Sequence, residues 1–214
     1  MPSDPDIQLF EEYLTCHRPV RLPGKSFLTR ACTAILIRGT GIDIELLFIR
    51  RAIRQGDPWS GHVGLPGGKM DDSDDSGRSA AIRELMEETG IDIRSCGSYL
   101  GRLSDLLTRS HNNRRPMIVT PYIFFVNGSE PALKIKADEV DHIFTVPLSF
   151  FLDKRNRQSF PYPVRGRRFN LPCYVYEGRR IWGLTLMMLD ELAGVYRGRQ
   201  QTYLTWAGRY LGRE

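Results

Sequence analysis

One segment, Gly64 to Ile91 (GLPGGKMDDSDDSGRSAAIRELMEETGI), constrains this chain more than any other. Its spacing predicts a helix from about Gly77 to Thr89, ended by Gly90, the residue best suited to a left-handed C-cap. At about 100° per residue, Ile82, Leu85, Met86 and Thr89 line up as one apolar stripe. Glu84, Glu87 and Glu88 fall together on the opposite side. The pattern therefore predicts a helix that rests on a core with one face and offers carboxylates with the other. Two fates are open to those carboxylates. A solvated acidic face is the commoner one. Against it, adjacent like charges repel by a few tenths of a kcal/mol per pair, and only Arg83 lies near in sequence to offset them. A hard divalent cation is the other fate, because it takes carboxylate oxygens, waters and phosphate oxygens together.

Upstream, Gly64, Gly67 and Gly68 surround Pro66 in a tight turn, where absent side chains let backbone approach a ligand or the helix. Asp71, Asp72, Asp74 and Asp75 form an acidic loop entering the helix, placed so that some of them cap its N-terminus.

Arg83-Glu84-Leu85-Met86-Glu87-Glu88-Thr89-Gly90-Ile91 resembles the second half of the Nudix box, REUxEExGU with U a bulky aliphatic, at every specified position. Gly68 followed by Asp74 resembles the first half. The acid is Asp where Glu is usual, and it stands one residue farther from Arg83 than in the general pattern. The opening Gly67-Gly68-Lys69 with Asp71 and Asp74 is similar to the coenzyme A pyrophosphatase branch of that family. The resemblance implies an α/β/α sandwich with a central mixed sheet. It also implies hydrolysis of a nucleoside diphosphate linked to another moiety, with Mg²⁺ or Mn²⁺ as cofactor. Carried over residue by residue, Glu84, Glu87 and Glu88 become metal ligands, one of them doubling as base. Arg83 orients the glutamates through Asp74, and Gly68 allows the loop to approach the helix closely. A homodimer is compatible with the family.

The substrate is expected to be coenzyme A or a related ADP-containing diphosphate, giving 3',5'-ADP and a phosphopantetheine. Leu46 to Ala52, then Gly61 and Leu65-Pro66-Gly67-Gly68, partly resemble the accessory motif of coenzyme A pyrophosphatases, although Asp57 replaces an arginine and Leu65 a phenylalanine. Ile181 to Thr185, and Glu139-Val140 before Val146-Pro147-Leu148, resemble further segments of that branch. Arg50 and Arg51, with Arg54, are candidate phosphate contacts, since a guanidinium fork fits phosphate oxygens. Gly67 and Gly68 are candidate substrate-binding backbone. Trp59 either stacks a base or pins its loop, His62 reads as a hydrogen-bonded loop histidine, and Glu139 either adds a carboxylate or begins a strand. Three alternatives stand beside this reading. They are an ADP-ribose, NADH or nucleoside triphosphate pyrophosphatase, a non-catalytic nucleotide-sensing module, and a nucleic-acid binder using the late arginines.

Elsewhere the chain reads as one α+β domain over 1–214, not a doubly wound parallel sheet, because strands cluster with few helices between them. Residues 1–29 form an N-terminal extension with a helix from Ile7 to Cys16. Ala31–Ile37 and Ile44–Ile49 read as a hairpin, with strands expected around Tyr99–Leu103, Ile118–Val126, Ile143–Val146 and Asn170–Tyr176. Ser110 to Arg115 reads as an exposed hairpin loop, Leu184–Leu192 as a core-facing helix and Gln201–Tyr210 as another helix. The scattered cysteines Cys16, Cys32, Cys96 and Cys173 suggest neither a zinc site nor a disulfide framework. A net charge of +5, from 30 Lys+Arg against 25 Asp+Glu, suits an anionic small ligand, and no nucleic-acid-binding motif accompanies the arginines. No apolar run approaches the ~20 residues of a bilayer span, and the N-terminus carries acids and proline where a secretory signal carries basic and apolar residues. A cytoplasmic protein with no membrane or nucleic-acid partner is the expectation.

Overall fold

The structure, a computed structural model, describes residues 5–23, 27–39, 44–56, 59–108, 116–126, 133–164 and 167–199. The expected loop at Ser110–Arg115, the helix at Gln201–Tyr210, and Asp57 lie outside them.

The two longest strands of the main sheet, β1 (Thr29–Arg38) and β7 (Met117–Val126), are rich in β-branched and aromatic residues and buried along most of their length. Continuous burial is what a strand covered on both faces requires. They pair in parallel from Thr29↔Met117 to Ile37↔Phe125, whereas the other pairings of this sheet are antiparallel, so the sheet is mixed. β2 (Glu45–Arg51) lies between β1 and β3 (Val63–Gly64) and also pairs with β8 (Val140–Pro147). β4 (Gly67–Lys69) pairs with the first half of β1. The expected hairpin is present, although β1 and β2 share only Ile37↔Leu46 and Arg38↔Glu45. On the far edge, β5 (Gly97–Arg102) and β6 (Leu106–Leu107) both pair with β7. Their partners on β7 stop at Tyr122 and resume at Val119, and Pro121, which has no N–H to offer, lies in the gap.

Helices cover both faces, giving the expected α/β/α layering. α2 (Gly77–Thr89) packs on one face against a cluster containing Cys32, Ala34, Leu36, Leu47 and Ile49. Gly77 sits tight against the sheet, where a Cβ would stand 2.4 Å from the Tyr122 hydroxyl. On the other face, α1 (Pro5–Cys16) and α5 (Gly183–Tyr196) pack with Ile35, Ile37, Leu46 and Phe48. The N-terminal helix is thus part of the core: Phe10 and Leu14 are buried, and the Phe10 and Tyr196 rings are 5.5 Å apart. Leu184, Met187, Met188 and Leu192 pack into the same cluster, as their spacing predicts.

A second sheet of β9 (Arg157–Val164), β10 (Arg167–Tyr176) and β11 (Arg179–Trp182) was only partly foreseen. β9 carries Pro161 and Pro163, which weaken its strand signal, and β11 is only four residues long. β11 lies against β3 and leads straight into α5. No helix among the described residues is long and apolar enough to cross a membrane.

A buried polar network fastens α5 to the rest. Glu191 accepts hydrogen bonds from the Ser104 N–H at 2.9 Å and the Ser104 hydroxyl at 2.7 Å, and its Oε1 is 3.0 Å from His17 Nε2. Ser104 Oγ in turn accepts from the Val20 N–H. Neighbouring Asp105, fully buried, accepts from Thr120 Oγ1 at 2.7 Å and the Leu22 N–H at 2.9 Å. Removing the central acceptor leaves buried donors unpaired, at about 1–3 kcal/mol for each. We therefore expect Glu191→Ala to lower the unfolding free energy by about 3 kcal/mol, measured by urea denaturation; a midpoint equal to wild type contradicts this role.

Candidate active site

α2 is fixed at both ends. Ser76 is its N-cap, accepting from the Ser79 N–H at 3.1 Å while its own N–H donates to Ser79 Oγ at 2.8 Å. Gly90 ends the helix in the left-handed conformation (φ 80°, ψ 1°), its N–H bonded to the Met86 carbonyl at 2.8 Å. The cap is therefore a serine, correcting the expectation that the preceding aspartates fill that role.

Asp74, with Asp71 at 3.7 Å, serves Arg83 instead. Its Nε donates to Asp74 Oδ1 at 3.2 Å and its Nη2 to Asp74 Oδ2 at 2.9 Å, a bidentate fork. Nη2 also donates to the Lys69 carbonyl at 3.1 Å, and Nη1 to Glu84 at 2.9 Å and Glu87 at 3.4 Å. One guanidinium thus ties the acidic loop, the end of β4 and the helix together. The hydrogen bonds from Arg83 hold the Asp74 carboxyl below its ordinary range.

The glutamates divide differently from the periodicity. Gly77, Ala80, Ala81, Leu85, Glu88 and Thr89 make up the buried face, and Met86 is exposed. The reason is the paired alanines: their small side chains let the helix come closest to the sheet on that side, which rotates the stripe and carries Glu88 inward. Glu88 is 2% exposed and accepts a hydrogen bond from the Gly67 N–H at 2.8 Å. Burial pushes its carboxyl up to about 8, Glu84 and Glu139 push the same way, and the Gly67 N–H and Arg51 oppose them. Glu84 is raised too, by burial first and then by Glu87 and Glu139, against the pull of Arg83. Glu87 is the outermost of the three, with its side chain 42% exposed.

Gly68 lies directly over Glu84. A Cβ there would stand 2.3 Å from Glu84 Oε1, and one on Gly67 would stand 2.4 Å from the Cys32 carbonyl oxygen. Glycine at these positions is what lets the loop sit on the helix and the strand.

Arg50 and Arg51 end β2 and part company. Arg51 acts on Glu88, whereas Arg50 lines a cavity with His62 and Trp182 and stands 3.5 Å from Asp141. Arg54 is 3.8 Å from Asp138. Trp59 is partly exposed and does not line that cavity, and its carbonyl accepts the His62 N–H at 3.1 Å. Glu139 does both things that were open to it: it precedes β8 and adds negative charge near Glu84 and Glu88, while Lys136 pairs with it at 3.1 Å. The cavity's other aromatic residues, Phe160 and Tyr162, were not singled out by the sequence, because only tertiary packing brings β9 there.

Among the described residues, no three His, Cys, Asp or Glu side chains already enclose a metal position. The donor chemistry nevertheless fits a hard divalent cation. Glu84 and Glu88 are carboxylates crowded together and stripped of solvent, so positive charge beside them would relieve both. Completing a shell with Glu87 requires Glu84 and Glu87 to turn away from Arg83 Nη1.

The NUDIX domain profile matches residues 28–163. The human mitochondrial coenzyme A diphosphatase NUDT8 is 30% identical over 148 residues, covering 68% of this chain and 60% of that protein. The chain therefore spans less than two thirds of that relative's length. An uncharacterized Nudix hydrolase, NudL, of Photorhabdus laumondii is 32% identical over 136 residues, covering 63% of this chain and 68% of that one. In fold, the MutT/nudix family protein from Enterococcus faecalis superposes with a TM-score of 0.52 at 15% identity, over 89% of this chain and 68% of that one.

The Glu88 shift has a thermodynamic consequence with a definite sign. Its folded-state value of about 8 exceeds the ordinary 4.5, so the folded protein keeps a proton that the unfolded chain releases. The stabilisation is complete below about pH 4.5 and is lost as pH rises through about 8. Without added metal, the denaturation midpoint should fall across that window, and Glu88→Gln should flatten the fall. An identical slope in the variant contradicts the assignment.

Proposed function

The chain belongs to the Nudix family, and on that premise we propose that it is a metal-dependent hydrolase. Its bond is the diphosphate of a nucleoside diphosphate joined to a second moiety, and its substrate is coenzyme A or a derivative. The observation that carries the reading is the crowding of Glu84 and Glu88 beneath the Gly67–Gly68 backbone. Both are raised above their ordinary values; Arg83, anchored on Asp74, holds Glu84, and the Gly67 N–H holds Glu88. Desolvated carboxylates gathered under a loop that only glycine can form mark a candidate functional site. Support for the coenzyme A choice comes from the human relative and from the accessory residues around Arg50 and Arg51.

The chemistry follows from the residues. Glu84, Glu87 and Glu88 would hold Mg²⁺ or Mn²⁺, which when bound offsets the charge of the diphosphate and acidifies water. Arg83 keeps the carboxylates oriented while Asp74 anchors it. Gly67 spends its N–H on Glu88, which fixes that carboxylate against the loop. Arg51, on the carboxylate side of β2, supplies a guanidinium for a phosphate oxygen. Water adds to one phosphorus, the bridging P–O bond breaks, and a carboxylate takes the water's proton. With coenzyme A the products are 3',5'-ADP and 4'-phosphopantetheine.

A panel of coenzyme A, ADP-ribose, NADH and dinucleoside polyphosphates, each with Mg²⁺ or Mn²⁺ and with products identified by mass, tests the reading. Coenzyme A should be cleaved only with metal present. Glu84→Gln and Glu88→Gln should each lower turnover by about a thousandfold, the several kcal/mol that a metal contributes to a charged transition state. Turnover of ADP-ribose or NADH in preference to coenzyme A overturns the substrate, and metal-independent turnover overturns the mechanism.

A further inference from the structure

A cavity of about 460 Å³ opens between the main sheet and the second one. Arg50 and His62 stand on one side of it, and Phe160, Tyr162, Arg180 and Trp182 on the other. Its size lies within the range of about 300–1,000 Å³ typical of small-molecule sites. Trp182 is the hub of its aromatic walls. The Trp182 ring centroid is 5.3 Å from His62, 5.3 Å from Phe160 and 5.0 Å from Tyr162. Flat aromatic walls receive a planar heterocycle through its π-face.

The guanidiniums around the cavity are not equivalent. Arg50 has Asp141 at 3.5 Å, and Arg179 has Glu177 at 2.8 Å. Arg180 lies 4.2 Å from the centre of the Phe160 ring and, among the described residues, has no carboxylate partner. It is exposed, so its N–H groups are open to an anion. Aromatic walls beside one uncommitted guanidinium suit a nucleoside that carries a phosphate.

The cavity also lies within reach of the carboxylates. Val63 lines it, and Gly67, four residues on, donates to Glu88. That separation is at most about 14 Å of extended chain. Arg50 and Arg51 are consecutive on β2, at an irregularity in its pairing with β8, and serve the cavity and the carboxylates respectively.

We propose that this cavity seats the nucleoside end of the substrate, with the base against Trp182 and Tyr162 and Arg180 holding a phosphomonoester on that nucleoside. The occupant rests on the diphosphatase reading above; the site itself rests on the aromatic walls and Arg180. Arg180 therefore sets specificity: it favours a nucleotide phosphorylated away from the scissile bond over its unphosphorylated counterpart.

The test compares adenosine 3',5'-bisphosphate with adenosine 5'-monophosphate by calorimetry on the full chain. It also compares coenzyme A with dephospho-coenzyme A in turnover. One charge-assisted contact corresponds to about tenfold in affinity, so wild type should prefer the bisphosphate by that factor and Arg180→Ala should abolish the preference. The kcat/KM ratio of coenzyme A over dephospho-coenzyme A should fall by the same factor in Arg180→Ala. Tyr162→Ala should weaken both mononucleotides alike, by about tenfold for a lost stacking contact. Bisphosphate preference that depends on Arg180 in a protein without diphosphatase turnover supports the site and removes the function. Coenzyme A turnover with an unchanged ratio in Arg180→Ala overturns the site and leaves the function.

Discussion

A helix carrying Glu84, Glu87 and Glu88 within two turns works against its own charge, and burying Glu88 makes that worse. What keeps the arrangement together is the Arg83 guanidinium. Its planar fork grips both oxygens of Asp74, and its remaining N–H groups reach the Lys69 carbonyl, Glu84 and Glu87. A lysine, as a point charge on a flexible stem, has no comparable geometry. The rest of the loop conforms to this hub. Gly68 yields space to Glu84, Gly67 yields space to β1 and gives its N–H to Glu88, and Ser76 and Gly90 set where the helix begins and ends.

The site is built around the sheet as well as on it. α2 brings the carboxylates to one face, while the second sheet and Trp182 form a cavity on the other side of β3. The end of β2 joins the two, since Arg50 and Arg51 serve different sides. The Glu191 network matters here through position alone: it anchors α5, and β11 runs directly into α5. The cavity wall is thereby tied to the same core that supports the sheet.

The local signals are legible in the sequence. The bounds of α2 and its glycine cap follow from spacing and from the left-handed preference at Gly90, and both match the structure. So do the Arg83–Asp74 pair and the closeness of Gly68 to the helix, which the family resemblance implied. The rotation of α2 is not legible from the bulky apolar residues, because the small Ala80 and Ala81 belong to the buried face. The Ser76 cap is masked in the sequence by four nearby aspartates. The second sheet was half hidden by prolines in β9, and the His17–Glu191 contact joins residues 174 apart, a distance no local pattern spans.

The central claim is that these carboxylates, oriented by Arg83, bind a divalent cation that engages phosphoryl oxygens. Anomalous diffraction from crystals grown with Mn²⁺ tests it most directly. The account predicts a manganese peak within coordinating distance of Glu84 and Glu88, with Arg83 still held by Asp74. Manganese absent from these residues, with Arg83 still bridging Glu84 and Glu87, would contradict it.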